Sequence, residues 1–336
     1  MTLDDDRARA LEYFGYTTRQ SQFLVLVALH GGYFLRRQYV AFTGCGHGQA
    51  AVRFLASAVS RGHVQMLPYG RHGHVFHLGA RPLYAAIGEE HNRNRRAAEW
   101  DAVIRKLMTV DFVLARRDAR FWATEADKAA LLRELRIDST LWPARTYNPR
   151  RRPGTNTTRH FVDKMPWYRD TDDARLWITY VDAERTLQGF ETFLRQYRDL
   201  FTALTCGVTY VSTDTWSAPV QQVFAKVVGA VTAPTTASSA DLVNYFRLRR
   251  VIEEDRLAGL SVDEIYRYTS LRRRFATTQI DDLFKRWLCD GDAALVMTDG
   301  EQVSRPACVL RIHRLEFDYE HHATRRSSSR APTQVT

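Results

Sequence analysis

The chain has 336 residues, a length that suggests two or three domains. Hydrophobic residues make up 45% and aromatics 12%, enough to build cores, which excludes a globally disordered chain. The formal net charge of +10 favours a polyanionic partner, nucleic acid being the usual one, although solubility alone can give the same balance.

The first six residues, Met1-Thr2-Leu3-Asp4-Asp5-Asp6, are acidic and open no apolar stretch, so no signal peptide is expected. No apolar run reaches the roughly 18 residues of a membrane span. Cys45, Cys206, Cys289 and Cys308 form no C-x-x-C pair and have no metal-ligand spacing. A cytoplasmic protein with reduced thiols is expected, with no membrane partner and no evident small-molecule substrate.

Four stretches separate: residues 1–90, 91–235, 236–323 and a small, polar, basic tail over 324–336 that reads as disordered. In the first, Thr17 or Thr18 caps a helix with Phe23, Leu24, Val27 and Leu29 on its apolar face, and Gly31-Gly32 stops it. A short second helix places Leu35, Tyr39 and Val40 inward. Gly44-Cys45-Gly46-His47-Gly48 is a glycine-rich turn, and a third helix over 49–60 directs Val52, Leu55 and Val59 to the core. Strands over 63–67 and 74–78 flank a turn and make a basic hairpin. A closing helix over 80–87 follows.

Helix, helix, turn, helix and basic hairpin is the order of a winged helix-turn-helix, here over residues 17–80. Docking geometry then assigns roles. The third helix enters the major groove and presents His47, Gln49, Arg53 and Ser57. Gln reads adenine and Arg reads guanine, while His47 suits a phosphate. Arg36 and Arg37 at the start of the second helix suit backbone phosphates. Arg71 and His72 at the hairpin tip reach phosphate or the minor groove. The bland alternative is a winged helix used for protein contact. His63, His72, His74 and His77 alternate between strand faces, so they read as strand and wing residues rather than metal ligands.

The middle stretch predicts a helix over 92–116, a strand over 120–124, a helix over 125–135, an extended segment over 160–167, a buried strand over 176–182, a helix over 186–204 and a strand over 208–212. The last three read as a βαβ crossover. Two turn-rich loops, 148–158 with three consecutive arginines and 232–239, interrupt the stretch.

The helix–strand–strand–strand–helix–strand order resembles the core of the PD-(D/E)xK nuclease superfamily. The resemblance implies an acid on the second core strand and an acid-x-Lys on the third, which hold a divalent metal, with the Lys orienting the attacking water. Asp163 falls on the second strand, and Asp182-Ala183-Glu184 closes the third. Glu184 stands where the family has Lys, so the pattern is broken. Lys164 adjoins Asp163 but points to the other face, and Glu99 corresponds to a further ligand in some members. The alternative is that Asp163, Asp182 and Glu184 are polar strand ends capping the next helix. No cofactor is expected, except Mg²⁺ if nuclease chemistry survives.

The whole layout over residues 17 to about 212 also resembles the replication-relaxation family of plasmid and integrative-element proteins. The similarity is carried by Thr18-Arg19-Gln20, Arg53-Phe54-Leu55, Gly62-His63-Val64 and Val181-Asp182. It implies a winged helix joined to a degenerate nuclease-like domain, acting on mobile DNA in replication, transfer or its control.

The C-terminal third predicts helices over 241–257, from the Ser261-Val262-Asp263-Glu264 capping box, and from Thr277 or Thr278. Strands over 294–297 and 308–312 complete a second helix–helix–turn–helix–hairpin. Arg272, Arg273, Arg274, Thr278, Gln279 and Lys285 would be a second DNA site, unless the charge run is a solvated face.

The expected fold class is thus α+β: an N-terminal winged helix, a central nuclease-like α/β domain and a C-terminal helical domain built as a possible second winged helix. The leading expected function is a sequence-selective double-stranded DNA-binding regulator of a mobile element. The alternatives are a metal-dependent DNA endonuclease and an assembly factor that binds proteins. Symmetry common among DNA-binding regulators also makes a homodimer a candidate state, though no heptad marks an interface.

Overall fold

Thr17 starts the first long helix. Its hydroxyl accepts from the Gln20 amide at 3.3 Å while the Gln20 side chain accepts from the Thr17 amide at 3.0 Å, a reciprocal capping box. The computed structural model describes residues 5–44, 48–69, 73–147, 157–161, 165–214, 216–229, 239–254, 259–275, 278–296 and 308–319. It is a mixed α+β chain. Helix α1 (Asp5–Glu12) precedes the capped helix α2 (Thr18–His30), whose Phe23, Leu24 and Val27 are fully buried. Gly31 and Gly32 stop α2. Gly32 sits at φ 74° with the Asn94 carbonyl where a Cβ would be, so only glycine fits.

A short strand that the sequence pattern did not announce, β1 (Tyr33–Leu35), follows the glycines. Helices α3 (Arg36–Thr43) and α4 (Gln49–Ser60) come next, then strands β2 (Val64–Tyr69) and β3 (Gly73–Leu78). The three strands pair antiparallel in the order β1-β3-β2, so β1 completes a sheet that the hairpin alone would leave with a bare edge. Phe23 joins the layers: its ring lies 5.1 Å from Phe34 of β1, 5.1 Å from Tyr39 and 5.4 Å from Phe42 of α3, and 6.4 Å from Phe54 of α4.

The core face of α4 is rotated from the expected one. Ala51, Phe54, Leu55 and Ala58 are buried, Val59 is half-buried, and Val52 is 48% exposed. The aromatic Phe54 wins the inward position because it fills the Phe23–Tyr39 cluster, which turns Val52 outward.

After α5 (Arg81–Ala86), helix α6 (Trp100–Leu114) packs against α2, α3 and β1. It is shorter than expected, because Arg93–Arg95 forms a separate 3₁₀ turn, and Trp100 faces partly outward. Strand β4 (Arg120–Trp122), helix α7 (Glu125–Glu134), the hairpin β5 (Ala144–Tyr147) and β6 (Thr157–His160), then β7 (Trp167–Arg169) and β8 (Leu176–Val181) lead to helices α8 (Leu187–Gln196) and α9 (Arg198–Ala203). Strand β9 (Cys206–Ser212) runs parallel to β8, as the crossover requires. Helix α10 (Ser217–Phe224) follows. β4 pairs antiparallel with β7 and β7 with β8, and α7 and the β5–β6 hairpin are inserted between β4 and β7. The second core strand is β7, later in the chain than the segment expected to carry Asp163.

The C-terminal third departs most from expectation. Helices α11 (Ser239–Glu253), α12 (Val262–Phe275) and α13 (Thr278–Asp290) enclose their own small core around Tyr245, Phe246, Phe284 and Trp287. The segment Leu271 to Phe275 is the last turn of α12. Residues expected as the first wing strand instead form a short helix, α14 (Ala293–Val296). The second, β10 (Val309–Arg314), adds parallel to β9 and makes the five-stranded order β10-β9-β8-β7-β4. The expected second hairpin is therefore not formed: β10 finds a longer hydrogen-bonding partner in β9, pairing from Val309 to Arg314.

One hydrophobic cluster runs from Leu11 to Tyr319 and crosses the boundary expected near residue 90. Among the described residues, no helix is long and apolar enough to cross a membrane.

Candidate nucleic-acid interface

Helix α4 begins after Gly48 and carries no acid along its length. Its outer face presents Gln49, Val52, Arg53 and Ala56 to solvent, with Ser57 half-buried at the flank. Gln49 and Arg53 stand one turn apart on one side of the helix, as the i, i+4 spacing demands. Arg36, the first residue of α3, is also exposed. These four expected contacts, Gln49, Arg53, Ser57 and Arg36, share one side of the N-terminal unit. His47, Arg71 and His72 lie outside the described residues.

A groove of about 790 Å³ separates α4 from the β2–β3 hairpin. Val52, Leu55, Ala56 and Val59 form one wall, Met66 and Phe76 the other, with Arg36 and His74 at the edges. Met66 is 49% exposed. The other histidines of the hairpin region have separate duties. His77 is buried and stacks on Tyr33 at 4.1 Å, and His63 hydrogen-bonds the Tyr16 hydroxyl at 2.8 Å.

Arg37 requires a correction: it faces the core, not a phosphate. Its two terminal nitrogens donate to the two Asp111 oxygens at 2.7 Å each, and Nη2 also donates to the Tyr319 hydroxyl at 2.6 Å. The guanidinium lies 3.5 Å over the Phe317 ring. Gln38 adds a bond from its amide to Asp111 at 2.8 Å, and Tyr319 donates to the second Asp111 oxygen. Burial alone would lower the Arg37 pKa, but the Asp111 bond and the nearby Tyr319 together raise it. Burial pushes the Tyr319 hydroxyl far up, with Asp111 adding to the effect. Asp111 sits inside the apolar run Val110-Asp111-Phe112-Val113; an acid there is the signal that should have pointed to a buried partner.

Of the nuclease candidates, Asp182 and Glu184 follow the third core strand β8, as expected. Asp182 is 2% exposed just past β8. Its Oδ2 accepts from the Tyr210 hydroxyl at 2.5 Å and its Oδ1 from the Thr186 amide at 3.3 Å. Burial raises its pKa, partly offset by Tyr210 and the amides of Thr186, Arg185 and Glu184. The side chain thus holds the β8–α8 turn, in which Arg185 adopts φ 55°. Glu184 pairs with Arg105 at 2.5 Å on the surface. Glu99 is exposed at the N-cap of α6. Asp163 lies outside the described residues, as does Lys164. Among the described residues no three His, Cys, Asp or Glu side chains gather as a metal-ligand group.

At the other proposed surface, Arg272 forms an ion pair with Asp138, which ties α12 to the central unit instead of freeing it for DNA. Lys285 is exposed on α13. The side chains of Arg273, Arg274, Thr278 and Gln279 lie outside the described residues. The tail over 320–336 lies outside them as well.

No protein-family model, curated protein or solved structure matches the chain.

Proposed function

We propose that residues 17–80 form a winged helix-turn-helix and that the chain is a sequence-selective double-stranded DNA-binding protein, acting as a transcriptional or replication and transfer regulator. The observation that carries this reading is the outer face of α4. It places Gln49 and Arg53 one turn apart and exposed, beside Arg36 and over a hairpin, on a helix with no acid. Those two side chains are the types that make bidentate contacts to adenine and guanine. The net charge of +10 supports the phosphate-dependent share of binding. The mobile-element setting is supported by the sequence motifs quoted above.

The central unit is read as a nuclease-like scaffold without the cleavage constellation. Asp182 accepts from the Thr186 amide with one oxygen and from the Tyr210 hydroxyl of β9 with the other, and Glu184 serves an ion pair, so these two acids already have protein partners. The strand and helix order favours this scaffold reading over an unrelated one.

The test is selection of the full chain on a random duplex library, followed by titration of the recovered duplex. A defined sequence should emerge, and log affinity should fall linearly with log salt. Failure to enrich any duplex overturns the reading.

A further inference from the structure

The face that should read DNA is mixed in chemistry. Between the polar pair Gln49 and Arg53 the outer surface of α4 turns apolar: Val52 is 48% exposed, and Ala56 follows one turn later. Across the groove stands Met66, 49% exposed on β2. Exposed aliphatic side chains on both walls of a groove of about 790 Å³ lose hydration free energy while empty and recover it when an apolar group enters.

The rim fixes what that group is attached to. Arg36 and His74 line the groove, and Arg53 is exposed on α4 next to Val52. Arginines beside an apolar floor match a ligand that is anionic along its edges and carries small apolar groups between them. A DNA duplex has one such group in its major groove, the 5-methyl of thymine, projecting beside the base edges that Gln and Arg contact. Val52 lies one position before Arg53 and three after Gln49, so a helix inserted to bring those two to base edges brings Val52 against the neighbouring position.

We propose that Val52, supported by Ala56 and Met66, reads thymine through its 5-methyl group, so that the bound sequence contains a thymine beside the bases contacted by Gln49 and Arg53. The proposal rests on the DNA-binding reading above. It names Val52 as a specificity residue that the hydrogen-bonding side chains alone would not reveal.

The experiment uses the full chain and the duplex recovered by selection. Each thymine is replaced in turn by uracil, which removes only the methyl, and then by 5-bromouracil, whose bromine refills the same volume. One or two positions should lose affinity about fourfold with uracil, the factor expected for one buried methyl group, and regain it with bromouracil. In V52A the uracil and thymine duplexes should bind equally, while circular dichroism shows the fold unchanged, since Val52 is exposed. Duplex binding that ignores every uracil replacement overturns the proposal and leaves DNA binding standing. Methyl sensitivity that persists undiminished in V52A overturns the assignment to Val52. Selection of no duplex at all overturns both readings, and binding of an acidic peptide in the groove in place of duplex would then be the outcome to measure.

Discussion

Arg37 and Asp111 meet in a two-pronged ion pair, each terminal nitrogen 2.7 Å from a different carboxylate oxygen. The two residues are 74 positions apart, one in the first turn of α3 and the other inside α6, so the pair ties the N-terminal unit to the helix that follows it. Tyr319, after the last strand, closes the same node. Asp111 is 8% exposed, so these partners take the place of water around its carboxylate. Arg37→Ala should cost about 3–5 kcal/mol of unfolding free energy, the usual penalty for leaving a buried charge unpaired. Urea unfolding of the variant checks it. Arg37→Lys should recover only part, because lysine lacks the fork. A loss below about 1 kcal/mol would mean that the node is incidental.

Arg36 is the neighbour of Arg37 and should behave in the opposite way. It is exposed, so Arg36→Ala should leave urea unfolding nearly unchanged. On the selected duplex it should weaken binding evenly across sequences and reduce the slope of log affinity against log salt by about 1, as for one lost phosphate contact. A sequence-dependent loss would assign it to a base instead.

Gln49 and Arg53 should separate from Arg36 by specificity. Arg53→Ala should weaken the selected duplex by about 1–3 kcal/mol and relax preference at one base pair, while random duplex binds as before. Gln49→Ala should relax a different pair. Repeating the selection with each variant reads this directly. If both variants recover the parental sequence unchanged, α4 is not the reading helix.

The alternation of helices and hairpin was legible because each element is bounded by strong local signals: the Thr17 cap, Gly31-Gly32, Gly62 and the alternating β3. What local patterns could not supply was competition between residues for one place. Val52 and Phe54 both fit an inward position at the sequence level, and only the Phe23–Tyr39 cluster decides for Phe54. Strand β10 shows the same thing at larger scale. A strand after three helices reads as a wing, yet β9, which precedes all of those helices and is buried along its whole length, offers it a ladder from Gly207 to Ser212. Partner choice across about a hundred residues is a property of the assembled sheet. Asp182 was found but given two meanings, and the choice between metal ligand and turn anchor came from Tyr210, whose hydroxyl no sequence motif links to it.

Asp182 should therefore act on stability. Asp182→Ala leaves the Tyr210 hydroxyl and the turn amides without their acceptor in a buried place, at a cost of about 1–3 kcal/mol. Thermal unfolding checks this. The affinity of the folded variant for the selected duplex should be unchanged, and millimolar Mn²⁺ should produce no nicking of that duplex by the parent chain. Metal-dependent nicking that Asp182→Ala abolishes would restore the endonuclease reading.

Acid sensitivity should come from buried histidines, two of them strongly shifted. His30 at the end of α2 and His313 on β10 are both lowered to about 4: burial dominates each, with Lys128 adding for His30 against an opposing Asp127, and with Arg116 and Arg311 adding for His313. Both stay neutral in the fold at pH values where the unfolded chain takes up protons. Unfolding then binds protons between the ordinary histidine value near 6.5 and about 4, so stability falls as pH drops through that window and loses nothing further from these groups below it. Asp182 contributes with the opposite sign: its raised pKa means the folded state takes its proton first, which offsets part of the loss as pH falls. His63 and His77 are also lowered by burial and act in the same direction as His30 and His313. His313 also packs its ring 5.2 Å from Phe112 and faces Arg116 at 3.3 Å, so a charge there would meet both an apolar ring and a like charge. His313→Gln keeps a polar side chain without the titration. Its unfolding free energy should change less between pH 6.5 and 4 than that of the parent, and a profile parallel to the parent's would remove His313 from the account.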